Sequence, residues 1–174
     1  MNVTEKNLLF TAEDIAREVE RLARRISEDY EGKEIVVVGV LKGAFMFLAD
    51  LVRHFTVPAR LDFVRLSSYG AGTQSSGKIR IVADVELELQ DQDVLIVEDI
   101  VDSGLTTAFL REHLLTKKPR SVKICTLLDK LERRSIDIPL EYVGLQLDKG
   151  FVVGYGLDCN EAGRQLPEIY ELIL

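Results

Sequence analysis

The chain has 174 residues, of which 47% are hydrophobic and 29% charged, as is ordinary for a soluble globular protein. This composition excludes disordered and fibrous proteins, and we expect one domain over residues 1–174. The formal net charge of -7 disfavours nucleic acid and anionic membranes as partners.

The cysteines and the N-terminal residues indicate a reducing compartment. Cys125 and Cys159 form no CxxC pair and have no cluster of histidines beside them, so neither a disulfide framework nor a zinc site is expected. Residues 1–6 are polar, and no apolar run approaches the length of a membrane span. We therefore expect a cytoplasmic protein that does not contact membranes.

The hydrophobic pattern alternates between helical and strand-like segments. Apolar residues recur on one helical face after Thr11, which forms a capping-box pattern with Asp14, and Gly32 ends this helix. A valine-rich run over 34–41 is typical of a strand buried on both faces. The other predicted elements are a helix over 43–55, strands over 59–65, 78–85 and 93–97, a helix to about 116, and strands over 121–128, 141–147 and 151–157.

This order of elements predicts an α/β fold with a mainly parallel central sheet flanked by helices. Ligands of such sheets bind at the carboxyl ends of the strands, so we expect the chemistry just after residues 40, 97, 128 and 157. Serine, glycine and threonine dominate residues 67–77, which we interpret as the longest flexible segment.

The segment after the strand at 93–97 combines acids, hydroxyls and a glycine at a predicted helix start. Successive N–H groups, Gly104 and the hydroxyls of this turn suit a phosphate monoester. The acids would repel that phosphate unless they bind a ribose diol or a divalent cation, and a sugar phosphate with magnesium satisfies both. The polar residues of the segment are Glu98, Asp99, Asp102, Ser103, Thr106 and Thr107.

Simpler interpretations of these residues stay open. Acids at a strand end can be a solvated rim, and a turn rich in serine and threonine can be only a helix cap. The motifs GxxxxGK[ST], GxSxG and HExxH are absent from the sequence. His54 and His113 lie on predicted helices, where a structural role is expected.

The run VLIVEDIVDSGLTT at 94–107 resembles the phosphoribosyl-diphosphate signature of type I phosphoribosyltransferases, in the form found in hypoxanthine-guanine phosphoribosyltransferases. Further segments similar to that family occur in family order and spacing along essentially the full chain. They are VGVLKGAFMFLADL (38–51), DFVRLSSYG (62–70), LLDK (127–130), YVG (142–144), FVVGYGLD (151–158) and RQLP (164–167).

The resemblance implies a role for residues in each segment. Asp102 is expected to face the purine N7 and act as the catalytic group, and Lys130 to donate to the 6-oxo group, with Phe151 stacking on the base and the Val152 backbone at its 2-position. Ser68 and Tyr69 are expected to lead a mobile lid. The phosphoribosyl-binding set is Glu98, Asp99, Asp102, Ser103, Gly104, Leu105, Thr106 and Thr107; the pyrophosphate-binding set is Leu41, Lys42, Gly43 and Arg164; the magnesium set is Glu98, Asp99 and Asp158.

The resemblance also implies a type I phosphoribosyltransferase fold with a small hood from the terminal segments, and a non-proline cis peptide bond in the loop at 41–43. The implied reaction is the magnesium-dependent transfer of the 5-phosphoribosyl group from its 1-diphosphate to N9 of hypoxanthine or guanine, in a homodimer or homotetramer. The sequence departs from the family pattern at Cys159, at Ala162 with Gly163, and at Asp148-Lys149-Gly150, which flank the base and pyrophosphate sites.

Two other functions compete with this enzyme. An RNA-binding regulator of the same fold would need a basic face, for which Arg133, Arg134, Lys117, Lys118 and Arg120 are the candidates. A phosphoacceptor receiver domain expects its acidic pair at the end of the first strand, whereas here the pair lies in the middle of the chain. The net charge of -7 disfavours the first alternative.

Overall fold

The computed structural model describes residues 5–69 and 78–173. The elements in chain order are β1 (Lys6–Phe10), α1 (Ala12–Asp29), β2 (Ile35–Leu41), α2 (Phe45–Arg53), β3 (Ala59–Tyr69), β4 (Lys78–Ala83), β5 (Asp93–Val101), α3 (Leu105–Leu115), β6 (Ser121–Lys130), β7 (Tyr142–Leu147), β8 (Phe151–Val153) and β9 (Ile169–Leu172).

The central sheet has the predicted α/β architecture. In the described residues it contains six strands in the order β4-β3-β2-β5-β6-β7. The pairs β3-β2, β2-β5, β5-β6 and β6-β7 are parallel, and only the pairing of β4 with β3 is antiparallel. A separate antiparallel sheet of β1, β9 and β8 joins the two ends of the chain, which confirms the hood from the terminal segments.

Both faces of β2 are buried, as its valine-rich run predicts. Along β2, Val37 packs on the side of α1 and α2, while Val36 and Val38 pack on the side of α3. Successive strand side chains point to opposite faces, so a strand covered on both sides is apolar at every position. On α1 the predicted apolar face is buried, and Thr11 and Asp14 form the predicted capping box.

Several element bounds differ from the sequence-based ones. Strand β5 continues to Val101, so Glu98 and Asp99 belong to the strand end and not to the turn after it. Strand β8 ends at Val153 because the following residues, Gly154 to Gly156, have positive φ and form a tight turn. This strand belongs to the hood, where the sequence pattern alone did not distinguish it from a strand of the central sheet. None of the helices in the described ranges is long and apolar enough to cross a membrane.

Candidate active site

The candidate site lies where the chain order of the sheet reverses. From β2 the chain continues to β3 and β4 on one side, and it then returns to β5 on the other side of β2. Helix α2 packs with the cluster on one face of the sheet, and α3 packs with the cluster on the opposite face. Adjacent strands whose connections leave to opposite faces open a crevice at their carboxyl ends, which is where ligands of such sheets bind.

A cavity of about 260 Å³ occupies this crevice. The ends of β2 and β5 and the start of α3 surround this cavity. Its lining residues are Val40, Leu41, Leu66, Glu98, Asp99, Ile100, Asp102, Ser103, Gly104, Thr106 and Thr107. A larger groove of about 600 Å³ is lined by Gly32 and Pro58, which precede β2 and β3, and it therefore lies at the opposite end of the sheet.

The turn into α3 has the geometry of an anion site. Gly104 adopts φ +83 at the helix N-cap, and a Cβ there would meet the Ile136 carbonyl oxygen at 3.0 Å. Ser103 Oγ accepts a hydrogen bond from the Leu105 N–H at 3.3 Å, while the Leu105 side chain is exposed. The first N–H groups of a helix have no intrahelical acceptor, and the helix dipole makes that end favourable for an anion.

Two adjacent carboxyl groups lie beside this anion site. Burial raises the pKa of Glu98 well above its usual range, and the nearby charge of Asp99 raises it further. Burial also raises the pKa of Asp99, to about 6; the Ile100 backbone N–H and the charge of Arg164 oppose this shift, and the charge of Asp158 adds to it. A buried acid beside a half-buried one is unfavourable as a pair of anions unless a cation or hydrogen-bond donors reach them.

The donor set fits Mg²⁺, which prefers carboxylate oxygens. Within the described ranges, no group of three or more His, Cys, Asp or Glu residues converges on one point as a preformed metal site. Asp158, the third predicted ligand, is paired with Arg164 at 2.7 Å. Because Mg²⁺ usually binds through one or two carboxylates together with substrate phosphates, Glu98 and Asp99 are sufficient protein partners for an ion that arrives with a diphosphate.

The structure brings Asp102, in the turn after β5, together with Lys130, the last residue of β6. Lys130 Nζ lies 3.6 Å from Asp102 Oδ2 and 3.5 Å from Glu132 Oε2, and only 7% of the Lys130 side chain is exposed. The other oxygen of Asp102, Oδ1, is buried without a hydrogen-bond partner among the described residues. An acceptor and a donor at this separation match the adjacent N7 and O6 atoms on one edge of a 6-oxopurine.

The remaining predicted base residues begin β8, in the hood. Phe151 is 44% exposed at the start of β8, and Val152 is buried. The Gly150 N–H donates to Glu132 Oε2 at 3.4 Å, so Glu132 links the hood to Lys130. The sequence analysis did not single out Glu132.

The loop after β2 packs tightly against the acids. The peptide bond between Leu41 and Lys42 is cis, as the family resemblance implies. A Cβ on Gly43 would lie 1.8 Å from Asp99 Oδ2, and a Cβ on Gly156 would lie 2.1 Å from the Gly43 carbonyl oxygen. Only glycine at both positions lets this loop fit between Asp99 and the turn after β8.

The two predicted pyrophosphate cations share one acid that the sequence analysis missed. Glu161 Oε2 lies 2.9 Å from Lys42 Nζ and 3.2 Å from Arg164 Nη2. Arg164 also donates to the Gly156 carbonyl oxygen at 2.7 Å and pairs with Asp158. The Glu161 carboxylate therefore lies between the two cations. The only sign of this pairing in the sequence is that Glu161 precedes Arg164 by three residues.

The departures from the family pattern form turns. Cys159 and Ala162 bridge across Asn160 and Glu161, both of which have positive φ, and a Cβ on Gly163 would lie 2.3 Å from Val153 Cγ2. Gly150 has φ +106 beside Glu171. The proposed lid residues Ser68 and Tyr69 end β3, and residues 70–77 lie outside the described residues.

Four residues that the sequence analysis named have surroundings that a structural role would explain: Cys125, Cys159, His113 and Arg134. Cys125 is buried and Cys159 is half-buried, and both are free thiols. His113 Nε2 lies 3.0 Å from both oxygens of Asp84, which links α3 to the end of β4. The predicted basic patch is incomplete because Arg134 turns inward, with only 19% of its side chain exposed.

The comparisons with known proteins agree with this geometry. The family model of the phosphoribosyl transferase domain matches residues 8–160. The chain is similar to the hypoxanthine-guanine phosphoribosyltransferase of Aquifex aeolicus, with 50% identity over 94% of this chain and 92% of the relative. It is also similar to the hypoxanthine phosphoribosyltransferase of Salmonella typhimurium, with 45% identity over 92% of each chain.

A solved structure of a hypoxanthine-guanine phosphoribosyltransferase from Bacillus anthracis superposes with a TM-score of 0.91 and 46% identity, over 96% of this chain and 98% of that one. Neither the RNA-binding regulator nor the receiver domain is supported by these relatives. From the sheet order, the site and these likenesses together, the chain belongs to the phosphoribosyltransferase family, in its hypoxanthine-guanine branch.

Proposed function

We propose that this protein transfers the 5-phosphoribosyl group from 5-phosphoribosyl 1-diphosphate to N9 of hypoxanthine or guanine, giving IMP or GMP and pyrophosphate in purine salvage. The observation that carries the proposal is the pair of half-buried Asp102 and buried Lys130, 3.6 Å apart, beside a cavity at a helix N-terminus. The names of the relatives support the same reaction.

The phosphoribosyl group occupies the cavity in this proposal. Its 5'-phosphate accepts hydrogen bonds from the N–H groups at the start of α3 and from the hydroxyls of Ser103, Thr106 and Thr107, which line that end of the cavity. The ribose hydroxyls donate to Glu98 and Asp99, since ionised carboxylates accept and do not donate.

The purine lies between the hood and the end of β6. The ammonium of Lys130 has only donors, so it pairs with a 6-oxo acceptor and not with a 6-amino group. Phe151 stacks on the ring, and its 44% exposure supports this because the ring is uncovered without a ligand. The Val152 backbone meets the 2-position of the base.

In the reaction, the bond between C1' and the pyrophosphate oxygen breaks, and its electron pair leaves with pyrophosphate. The N9 lone pair of the purine forms the new bond to C1'. The proton at N7 passes to the Asp102 carboxylate, whose buried Oδ1 has no partner among the described residues. Lys42 and Arg164 stabilise the charge that accumulates on the departing pyrophosphate, after their pairs with Glu161 open.

When magnesium is bound, it supplies the positive charge that the donor diphosphate and the departing pyrophosphate require. Glu98 and Asp99 would hold it on the ribose side, and Asp158 would hold a second ion on the pyrophosphate side. The raised pKa values of Glu98 and Asp99 support this role because a cation relieves the repulsion between two neighbouring carboxylates.

We also propose that the protein forms a homodimer or homotetramer in the cytoplasm. Leu61 and Phe63 lie two residues apart on one face of β3 and are 44% and 42% exposed, which supports burial in a homodimer or homotetramer. Light scattering of the wild type and of Leu61→Glu tests this expectation. Free thiols at Cys125 and Cys159 support the reducing cytoplasm as its compartment.

The experiment that tests the function is pyrophosphate release from the phosphoribosyl donor with hypoxanthine, guanine, xanthine, adenine, uracil or orotate, with and without excess chelator. We expect turnover with hypoxanthine and guanine and its loss on chelation. If adenine were the best substrate, the 6-oxopurine assignment would be wrong. Full activity in excess chelator would remove the magnesium assignment.

A further inference from the structure

Arg134, in the loop between β6 and β7, contacts backbone from two separate parts of the site. Its Nε donates to the Asp102 carbonyl oxygen at 3.0 Å, and its Nη2 donates to the Val101 carbonyl oxygen at 3.0 Å. The same Nη2 lies 3.3 Å from the Lys130 carbonyl oxygen. The neighbouring Arg133, by contrast, is exposed.

Two of these carbonyl groups, those of Val101 and Lys130, end neighbouring strands, and the Asp102 carbonyl follows in the turn after β5. Val101 of β5 is in register with Asp129 of β6, and beyond this pair the chain of β5 enters the turn to α3. Carbonyl groups at the end of a ladder need other donors when they are buried. A guanidinium supplies several donors in one rigid plane, and the Asp129 carboxylate, which forms an ion pair with Arg134 Nη2, holds that plane in place.

The residues after Arg134 also donate hydrogen bonds to a carbonyl oxygen of the turn at Ser103. The Ser103 carbonyl oxygen accepts hydrogen bonds from the Ser135 N–H at 3.0 Å, the Ile136 N–H at 3.2 Å and the Ser135 hydroxyl at 3.1 Å. None of these donors lines the cavity, whereas Ser103 and Gly104 do. In a trans peptide the C=O and the following N–H point in opposite directions, so donors on the outer carbonyls orient the N–H groups toward the other side.

From these contacts we infer that Arg134 is a positioning residue that couples base recognition to phosphate binding. It ties the backbone of Asp102 to the backbone of Lys130, whose side chains are 3.6 Å apart, and it fixes the peptide plane that presents the Ser103 N–H to the phosphate. The inference rests on the proposed roles of Asp102, Lys130 and the turn at Ser103. No contact of Arg134 itself with a substrate is required.

The test compares Arg134→Lys with the exposed neighbour variant Arg133→Lys. Lysine keeps the charge beside Asp129 but lacks the planar set of donors that reaches the three carbonyl groups. We expect Arg134→Lys to fold with a lower melting temperature, because the carbonyl groups lose donors. Per folded molecule, it should lose about 10- to 100-fold in kcat/KM for hypoxanthine, as is usual when a side chain that orients a site residue is changed. Arg133→Lys should match the wild type.

Binding of ribose 5-phosphate, measured by calorimetry, is the readout that does not require turnover. We expect Arg134→Lys to weaken it, because the N–H groups of the turn lose their fixed orientation. The double variant Asp129→Asn/Arg134→Gln, which leaves no unpaired buried charge, should show the same weakening in a folded protein.

Arg134→Lys with wild-type kcat/KM and wild-type ribose 5-phosphate affinity would overturn the inference. A loss of activity that matches only the loss of folded protein would also overturn it, since that result describes a structural residue. Failure of the proposed function would look different. The wild type and Arg133→Lys would then turn over no 6-oxopurine, while ribose 5-phosphate binding would still report on Arg134.

Discussion

Removing the charge of Asp99 is expected to stabilise the ligand-free protein at neutral pH while it weakens the site. The folded protein holds the Asp99 proton up to a pKa of about 6, whereas the ordinary value is 3.8. The stability that this proton provides is therefore complete below pH 3.8 and is lost as the pH rises through about 6. Asp99→Asn keeps the neutral form at every pH.

The size of the effect follows from the pKa difference. At about 1.4 kcal/mol per pKa unit, the ionised Asp99 lowers the free energy of unfolding of the wild type by about 3 kcal/mol at pH 8. Asp99 is half-buried, so solvent screening reduces this to about 1–2 kcal/mol. For a chain of this length, such a gain raises the melting temperature by about 2–8 °C. At a pH near 4 the two proteins should melt together.

Asp93, at the opposite end of β5, provides the matched control. Burial alone would raise the pKa of Asp93, but hydrogen bonds from Ser121 and Arg120 outweigh burial and lower it. Asp93→Asn should therefore destabilise the protein above pH 4, the opposite sign. The assay is calorimetric melting at about pH 4 and pH 8 without ligand. A lower melting temperature for Asp99→Asn at pH 8, or a difference independent of pH, would refute the reasoning.

Three further changes test the site itself. Asp102→Asn keeps the shape but removes the proton acceptor, so kcat should fall by about 10²- to 10⁴-fold with donor affinity nearly intact; a main defect in calorimetric donor binding would contradict this. Lys130→Met leaves the 6-oxo group without a donor, at a cost of about 1–3 kcal/mol. This should reduce kcat/KM for hypoxanthine roughly 5- to 150-fold more than it reduces any turnover of adenine. Lys149→Met, at an exposed position, should change neither activity. Gly43→Ala places a Cβ 1.8 Å from Asp99 Oδ2 and should abolish measurable pyrophosphate release, while Gly32→Ala, with no atom within 4 Å of its Cβ, should reduce thermal stability only. Normal turnover by Gly43→Ala would show that the loop can move away from Asp99.

The hydrophobic pattern was sufficient to predict the central sheet, because a strand that is buried on both faces shows this in its own apolar run. The continuous apolar runs of β2 and of the first part of β5 predicted parallel strands. The acids and hydroxyls at 98–107 predicted a phosphate site at the ends of these strands. The pattern did not set where strands end. Polar residues such as Glu98 continue β5 because hydrogen bonds to β6, and not side-chain polarity, maintain the strand.

The sequence by itself therefore determined the fold class and the family resemblance, and it indicated the candidate site residues, all of which depend on residue type and short spacing. Only the tertiary structure decided that Glu161 lies between Lys42 and Arg164, and that Arg134 reaches Asp102. Glu161 and Lys42 are 119 residues apart, and Arg134 and Asp102 are 32 apart. At such separations no periodic signal remains in the chain, since these contacts are set by how strands and turns pack rather than by their local pattern.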